Sequence, residues 1–324
     1  MDGRRETVLK AVGFQNPERI PLLYATSLEK TDILNIPIVD HFTGPEKNRS
    51  EWGFEWAHLE NAFLMGQPKA PVITDYAQLD DFVPPDPYRS DRFAHVAGIM
   101  EKYGSDRYYK GNFVLSGFSI ISSLRGFENV MEDFYVEPEN LSRLCDIVFH
   151  FEKEVIRQAA KHGFSGVGLA DDWGTQTALF INPAMWREVF KPRYQEQIDL
   201  AHSLGLQVYM HSCGYIYDII GDLVEIGLDI LNPGQPDIND VERMGESFAG
   251  KICFACPPSY QTTAISGSDE AIVRQIEGYR KHLSKNGGLI GIIPEDSRSL
   301  GITEGNFRTM VETFEKKIRG GERP

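Results

Sequence analysis

A histidine and a cysteine two positions apart carry the clearest chemical signal in this sequence. His211 and Cys213 lie in the stretch YMHSCG, at the end of a run with the pattern of a β-strand. Side chains alternate along a strand, so the imidazole and the thiol are expected on the same side. Both groups are good zinc ligands. A hydrogen-bonded histidine beside a packed cysteine would give the same pattern, so the spacing alone leaves metal binding and structural packing open.

Carboxylates, amides and further cysteines follow other apolar runs in the same way. Asp171 and Asp172 end the run GVGLADD, and one of them is expected at the strand end, where a carboxylate can carry a proton. The groups at the ends of the later predicted strands are Asn232, Gln235, Cys253, Cys256, Glu295 and Asp296. Cys253 and Cys256 are three positions apart, so a regular strand would place their sulfurs on opposite faces. We therefore interpret Cys253 as structural and keep Cys256 as an alternative third metal ligand.

Aromatic residues near these strand ends suggest a cavity with aromatic walls. Most of them are expected in the core, and a few could stack on a flat ligand. The residues predicted to bind substrate are Trp173, Tyr209, Asn232 and Gln235.

Alternation of short apolar strands with amphipathic helices predicts the fold. Strands are predicted at 19–26, 111–118, 166–172, 206–214, 228–236, 251–258 and 288–297. Repeated βα units imply a parallel sheet with right-handed connections, and a strand count near eight favours a closed (β/α)8 TIM barrel. We expect one domain over residues 1–324, with an N-terminal helical extension and an insertion or lid at 27–110. Active groups of such a barrel lie at the carboxyl ends of its strands, where the candidates above are placed.

Charge, hydrophobic runs and cysteine content indicate which kinds of partner this protein is not expected to bind. The 324 residues include 33 basic and 47 acidic side chains, for a net charge of −14, which disfavours nucleic acid. No run approaches the roughly 18 consecutive apolar residues of a membrane span, and the first residues do not resemble a signal peptide. The four cysteines do not form a spread disulfide framework, so a reduced, cytoplasmic protein without membrane association is expected. No glycine-rich phosphate loop follows the first strands.

Several longer motifs, taken in order, resemble the uroporphyrinogen decarboxylase (URO-D) superfamily. They are RRETVLKAVGFQNPERIPL at the N-terminus, EWGFEW at Glu51, SSLRGFENVMEDFYVEPENL at Ser122, ADDWGTQTALFINPAMWREVFKPRYQEQI at Ala170 and HSCGYIYDIIGDLVEIGLDILNPGQP at His211. The resemblance covers nearly the whole chain. It implies a (β/α)8 barrel with its cleft at the strand ends, and one of two chemistries. These are cofactor-free decarboxylation of uroporphyrinogen, and zinc-dependent methyl transfer between small molecules and a corrinoid protein.

The sequence is closer to the methyltransferase branch. True uroporphyrinogen decarboxylases carry an arginine-rich loop after the first strand, where guanidinium groups hold the substrate's carboxylates. The matching stretch here, LLYATSLEKTDIL at 22–34, contains no arginine. The methyltransferases carry H-x-C on the middle strand, which His211 and Cys213 match, and a later cysteine whose place is taken here by Glu295. A carboxylate oxygen is an acceptable zinc ligand, so the resemblance implies a site of His211, Cys213 and Glu295.

The expected function is therefore zinc-dependent transfer of a methyl group from a small O-, S- or N-methyl substrate to a corrinoid protein or a thiol. Asp171, Asp172 and His211 are the catalytic candidates. Two alternatives stay open: a metal-free carboxy-lyase related to uroporphyrinogen decarboxylase, and a non-catalytic carrier of a small or corrinoid ligand. The resemblance also raises the prospect of a homodimer, because the family's decarboxylases dimerise.

Overall fold

The structure is a computed structural model that describes residues 2–25, 27–39, 49–57, 67–294 and 301–316. Its strands, in chain order, are β1 (Leu22–Tyr24), β2 (Ile33–Pro37), β3 (Trp56–Ala57), β4 (Gln67–Pro68), β5 (Tyr108–Asn112), β6 (Gly166–Ala170), β7 (Gln207–Ser212), β8 (Ile230–Pro233), β9 (Cys253–Cys256) and β10 (Leu289–Ile293). Its α-helices are α1 (Arg4–Val12), α2 (Val96–Tyr103), α3 (Gly117–Arg125), α4 (Phe127–Val136), α5 (Pro138–Lys161), α6 (Pro183–Val189), α7 (Lys191–Ser203), α8 (Tyr217–Glu225), α9 (Val241–Phe248), α10 (Thr263–Ser266), α11 (Asp269–Leu283) and α12 (Glu304–Glu315).

Eight strands form one parallel sheet in the order β1-β10-β9-β8-β7-β6-β5-β2, and β3 and β4 form a separate antiparallel pair. The two edge strands of the large sheet meet through backbone and side-chain contacts. The amide of Asp32 donates to the carbonyl of Leu22 at 2.8 Å, and the Asp32 carboxylate accepts from the Leu22 amide at 2.7 Å. The sheet is thus a nearly closed (β/α)8 barrel, and the predicted fold class is confirmed.

Two sets of buried side chains alternate along the barrel strands, as parallel strands require. One set fills the interior and the other packs under the helices. On β9, Cys253 and Ala255 belong to the interior cluster, whereas Phe254 and Cys256 belong to the outer one. The same alternation places Tyr209 in the interior and Val208 and Met210 outside.

The first helix closes part of the barrel interior. Val8, Ala11 and Val12 of α1 belong to the same buried cluster as the inward residues of the strands. The predicted N-terminal helical extension is therefore a packed part of the core.

Three predicted elements differ from those in the structure. The predicted insertion at 27–110 contains a barrel strand, Ile33–Pro37, and the start of another, Tyr108–Asn112. The strand Ile33–Pro37 was missed because Asn35 interrupts its short apolar run and Pro37 ends it. The strand predicted at 111–118 lies a few residues earlier, and α3 begins at Gly117. The helix predicted over 182–205 is two helices, because Pro192 interrupts the hydrogen-bond ladder.

None of the helices in the described ranges is both long enough and apolar enough to cross a membrane.

Candidate functional site

His211 and Cys213 lie together at the carboxyl end of β7. His211 is the last inward-facing residue of the strand, and Cys213 follows one residue after the strand ends. The Cys213 Sγ lies 3.4 Å from the His211 Nε2. Both side chains are half-buried at the barrel mouth, so the adjacency expected from strand alternation is present in the folded protein.

Asn232 on the neighbouring strand β8 sets which nitrogen of His211 is free. Its Nδ2 donates to the carbonyl of Ala255 at 2.7 Å, which fixes the orientation of the amide. Its Oδ1 therefore faces the His211 Nδ1, 2.7 Å away, and accepts a hydrogen from it. The Nε2 is left with its lone pair toward Cys213. A second hydrogen bond of this kind is the usual way in which a ligating histidine is oriented.

A third donor, Asp172, comes from the end of β6. Its Oδ1 lies 3.6 Å from the His211 Nε2 and accepts the Cys213 amide hydrogen at 2.7 Å. Three ligand atoms lie within 4.8 Å of one another, one from each of Asp172, His211 and Cys213. Nitrogen, sulfur and carboxylate oxygen all bind zinc, and three protein donors with an open fourth position are typical of catalytic zinc. This donor set therefore fits the metal that the sequence implied.

The surroundings of Cys213 keep its sulfur protonated in the absence of a metal. Burial, and then the nearby Asp172 carboxylate, raise the pKa of the Cys213 thiol to about 12. A bound cation would reverse this effect, because thiolate is the form that ligates.

Gly234, which follows β8, leaves room for both donors. A Cβ at this position would lie 2.8 Å from the Cys213 Sγ and 3.0 Å from the His211 Cε1. A Cβ this close to the sulfur would force the thiol to move, and the imidazole would have to shift by a few tenths of an ångström. The sequence analysis did not identify this glycine. Its position shortly after Asn232, at the end of a predicted strand, could have indicated it.

The two adjacent aspartates have different surroundings. Asp172 is about half exposed, whereas Asp171 is fully buried. The Asp171 carboxylate accepts from the amides of Phe118 and Ser119 and the Ser119 hydroxyl, each at 2.8 Å, and from the Tyr194 hydroxyl. Burial raises its pKa to about 7, against the opposing effect of these donors. Asp171 thus holds the first turn of α3, and only Asp172 reaches the donor cluster.

The predicted substrate-binding residues are divided between the site and the core. Trp173 is fully buried, with its indole nitrogen donating to the Tyr194 hydroxyl at 3.0 Å. Gln235 is half-buried and accepts from the Gly214 amide at 2.8 Å, so it supports the turn after Cys213. Tyr209 lies in the barrel interior, two residues below His211 on β7.

The sequence predicts Glu295 as the third metal ligand, with Cys256 as its alternative. Cys256 is fully buried and packs in the outer cluster, on the side of β9 away from the interior. Glu295 lies outside the described residues. Asp172, which sequence reasoning assigned to proton transfer, is the third donor that the geometry supplies.

Sequence reasoning missed Lys110, an inward residue of β5. Its side chain is only 3% exposed, and burial lowers its pKa to about 7. The predicted strand began at Gly111 and left this lysine outside. The position of this lysine two residues after Tyr108, on the same side of the strand, could have indicated that it faces the barrel interior.

Two surface grooves lie away from the barrel mouth. One, of about 460 Å³, is lined by residues such as Thr74, Arg125 and Arg143. The other, of about 770 Å³, is lined by residues of α5 and of the α6–α7 region, such as His150 and Arg193. Neither contains a cluster of three metal-binding side chains among the described residues. We therefore assign the functional site from its chemistry rather than from the size of a groove.

The chain forms a (β/α)8 barrel with a cluster of candidate metal ligands at the carboxyl ends of its strands. The family model described as uroporphyrinogen decarboxylase (URO-D) matches residues 64–251, more than half of the chain. The chain belongs to this family. No match was found among curated proteins.

The solved structures similar to this chain include a methyltransferase from Methanosarcina mazei. It is 13% identical, with a TM-score of 0.72 over 97% of this chain and 98% of that chain. D-psicose 3-epimerase from Clostridium cellulolyticum H10, solved with D-tagatose, is 9% identical, with a TM-score of 0.48 over 91% of this chain and 96% of that chain. An E. coli 3-keto-D-glucoside 4-epimerase is 12% identical, with a TM-score of 0.44 over 69% and 84%. At 13% identity, the similarity to the Methanosarcina mazei methyltransferase shows that the two proteins share the barrel fold.

Proposed function

We propose that this protein is a zinc-dependent methyltransferase that moves a methyl group from a small O-, S- or N-methyl substrate to a corrinoid protein or a thiol. The observation that carries the proposal is the cluster of Asp172, His211 and Cys213, with one donor atom each within 4.8 Å at the barrel mouth. Family membership and the fold shared with a methyltransferase agree with this assignment.

His211, Cys213 and Asp172 would hold the metal, and zinc bound there would act as a Lewis acid on the heteroatom that carries or receives the methyl group. Asn232 holds the imidazole with its Nε2 lone pair toward the site. The Cys213 amide holds the Asp172 carboxylate beside the sulfur. Gly234 leaves the space in which the two donors meet. The chain thus orients all three donors before any metal binds.

The family's other chemistry has less support in this chain. Decarboxylation of a heavily carboxylated tetrapyrrole would need cations to clamp its acid groups, and the stretch 22–34 contains no arginine. The net charge of −14 also disfavours a polyanionic substrate.

Metal analysis is the first test. Protein purified without chelators should contain close to one zinc per chain, and His211→Ala and Cys213→Ala should each lose it. His150→Ala is a matched control, because His150 is an exposed histidine on α5. A His211→Ala protein that keeps its full zinc content would overturn the proposal.

Methyl transfer is the second test. Methyl ethers, thioethers and methylamines are offered as donors, with free cob(I)alamin as acceptor, and methylcobalamin is followed by its absorption. Turnover should require zinc, His211 and Cys213. If the protein contains no zinc and releases carbon dioxide from uroporphyrinogen, it is a decarboxylase and the methyltransferase assignment fails.

Two variants separate the candidates for the third ligand. If Asp172 binds the metal, Asp172→Asn should lower zinc affinity while Glu295→Gln leaves it unchanged. If Asp172 only carries a proton, Asp172→Asn should keep its zinc and lose turnover.

A further inference from the structure

A buried lysine lies beneath the donor cluster. Lys110 faces the barrel interior from β5, and its Nζ lies 3.4 Å from the centre of the Tyr209 ring. Tyr209 and His211 both face inward on β7, two residues apart, so they are separated by about 6.6 Å along the strand. The ammonium group is therefore about one strand repeat deeper in the barrel than the proposed metal site.

This lysine makes no ion pair with any residue that the structure describes. Burial is the cause of its lowered pKa, and no carboxylate in the described part of the chain contributes to it. The face of Tyr209 is the favourable electrostatic contact that it does make. Removing an ammonium group from water without a carboxylate partner costs stability, so folding alone does not account for a lysine at this position.

The strand between Lys110 and Tyr209 has almost no inward side chains. The inward positions of β6 are Gly166, Gly168 and Ala170. A Cβ at Gly168 would lie 3.0 Å from the Lys110 Cε and 3.1 Å from the Asn112 Oδ1. The absence of a side chain at Gly168 therefore allows the lysine side chain to lie across β6.

Two amides line the same part of the interior. Asn35 is paired in register with Lys110, and Asn112 lies two residues further toward the mouth on the lysine's own strand. Asn35 is exposed and Asn112 half-buried, although both face inward, so the barrel is open to solvent beside the lysine. One ammonium and two amide groups are suitable donors for an anion.

We propose that the small molecule bound at the metal site carries a carboxylate, and that Lys110, assisted by Asn35 and Asn112, recognises this group. This inference rests on the proposed function, since it names the substrate class of the same site. The carboxylate would supply a charge partner that none of the described residues gives the lysine, while the other end of the molecule reaches the donor cluster. Both a methyl donor and a thiol acceptor could carry such a group, so the test includes one of each.

Binding of matched acids and amides tests the proposal by calorimetry. The ether pair is 4-methoxybenzoate and 4-methoxybenzamide, and the thiol pair is 3-mercaptopropionate and 3-mercaptopropionamide. In at least one pair the acid should bind about 10- to 100-fold more tightly than the amide, as expected for hydrogen bonds to a charged group. The pair that shows the preference identifies the source of the carboxylate. Equal affinity of acid and amide in both pairs would overturn the proposal.

Lys110→Met should remove the preference for the acid and leave affinity for the amide and zinc content unchanged. The variant should fold, because an apolar side chain of similar length replaces a buried charge. Lys161→Met is a matched control at an exposed lysine, and it should keep the acid preference. Gly168→Ala is a second variant, which keeps the charge but displaces the lysine side chain, and it should also weaken acid binding.

The results separate this inference from the proposed function. If the protein binds no zinc, the proposed function fails, but the acid preference can still be measured in metal-free protein. If zinc binds fully and Lys110→Met keeps the acid preference, the carboxylate assignment fails and the metal assignment stands. Attachment of 4-methoxybenzaldehyde to Lys110 after borohydride reduction, without any preference for acids, would assign the lysine to carbonyl chemistry and overturn the proposal.

Discussion

Cys213 shows how the donor cluster is prepared for a cation. Burial and the Asp172 carboxylate raise the pKa of its thiol to about 12, so the metal-free protein carries a protonated sulfur at neutral pH. Because the ligating form is thiolate, zinc binding must release this proton.

Zinc affinity should therefore increase with pH. Between pH 7 and 9, well below the thiol pKa, the apparent affinity should rise about tenfold per pH unit, with one proton released per zinc. Competition with a chromophoric chelator measures the affinity, and weakly buffered titrations measure the proton. Cys213→His has no thiol to ionise and should show a flatter dependence. A wild-type affinity that is constant over this range would contradict the assignment of Cys213 as a ligand.

Gly234→Ala tests the space between the donors. The added methyl group would lie within about 3 Å of both side chains, so zinc affinity should fall about 10- to 100-fold while the overall fold is retained. Gly98→Ala is the matched control, because a Cβ there meets nothing within 4 Å, and it should leave zinc affinity unchanged. Zinc content by mass spectrometry and circular dichroism of both variants decide the outcome.

At the level of secondary-structure elements, the two adjacent carboxylates after β6, Asp171 and Asp172, have different roles. Asp171 points into the core and accepts hydrogen bonds from the first turn of α3 and from Tyr194 on α7. Asp172 points to the mouth and joins the donor cluster. Strand alternation explains the division, because consecutive side chains face opposite sides.

Two asparagine substitutions should separate these tasks. Asp171→Asn places an amide N–H group against donors from α3 or Tyr194 and should lower the free energy of unfolding by roughly 3 kcal/mol. Asp172→Asn changes a half-exposed group and should alter the free energy of unfolding by less than about 0.5 kcal/mol, while lowering zinc affinity. Urea unfolding and zinc titration of both proteins provide the measurements. Equal destabilisation by the two substitutions would contradict the division.

At the scale of the whole molecule, the barrel interior holds a charge that weakens the fold. The pKa of Lys110 is about 7 in the folded protein and about 10.4 for an unfolded lysine. Between these values the unfolded chain binds a proton that the folded protein does not, so this group makes stability increase with pH.

Lys110→Met should therefore be more stable than wild type, with the largest difference at and below pH 7. The difference should narrow as pH rises toward 10, where the lysine is neutral in both states. Thermal or urea unfolding of the two proteins across this range measures it, and other titrating groups cancel in the comparison. A variant that is less stable than wild type at pH 7 would show that the lysine supports the fold.

Much of the barrel could be predicted from local pattern. The βα alternation after Gly166 gave the strands and helices of that half to within a few residues, because each strand there contains a short apolar run and the helices have buried apolar sides. The strand Ile33–Pro37 was missed, since Asn35 interrupts its short apolar run and Pro37 ends it.

That His211 and Cys213 share a side follows from the sequence alone, because it depends only on the period of a strand. The sequence also predicts the acidic surface and the repeated βα units. The folded chain was needed to show that Asp172 joins them, that Asp171 and Trp173 are buried and that Cys256 faces away. It alone placed Lys110 beneath Tyr209. These relations depend on the register between strands and on barrel closure, which bring residues far apart in the chain into contact and are not encoded in any single segment.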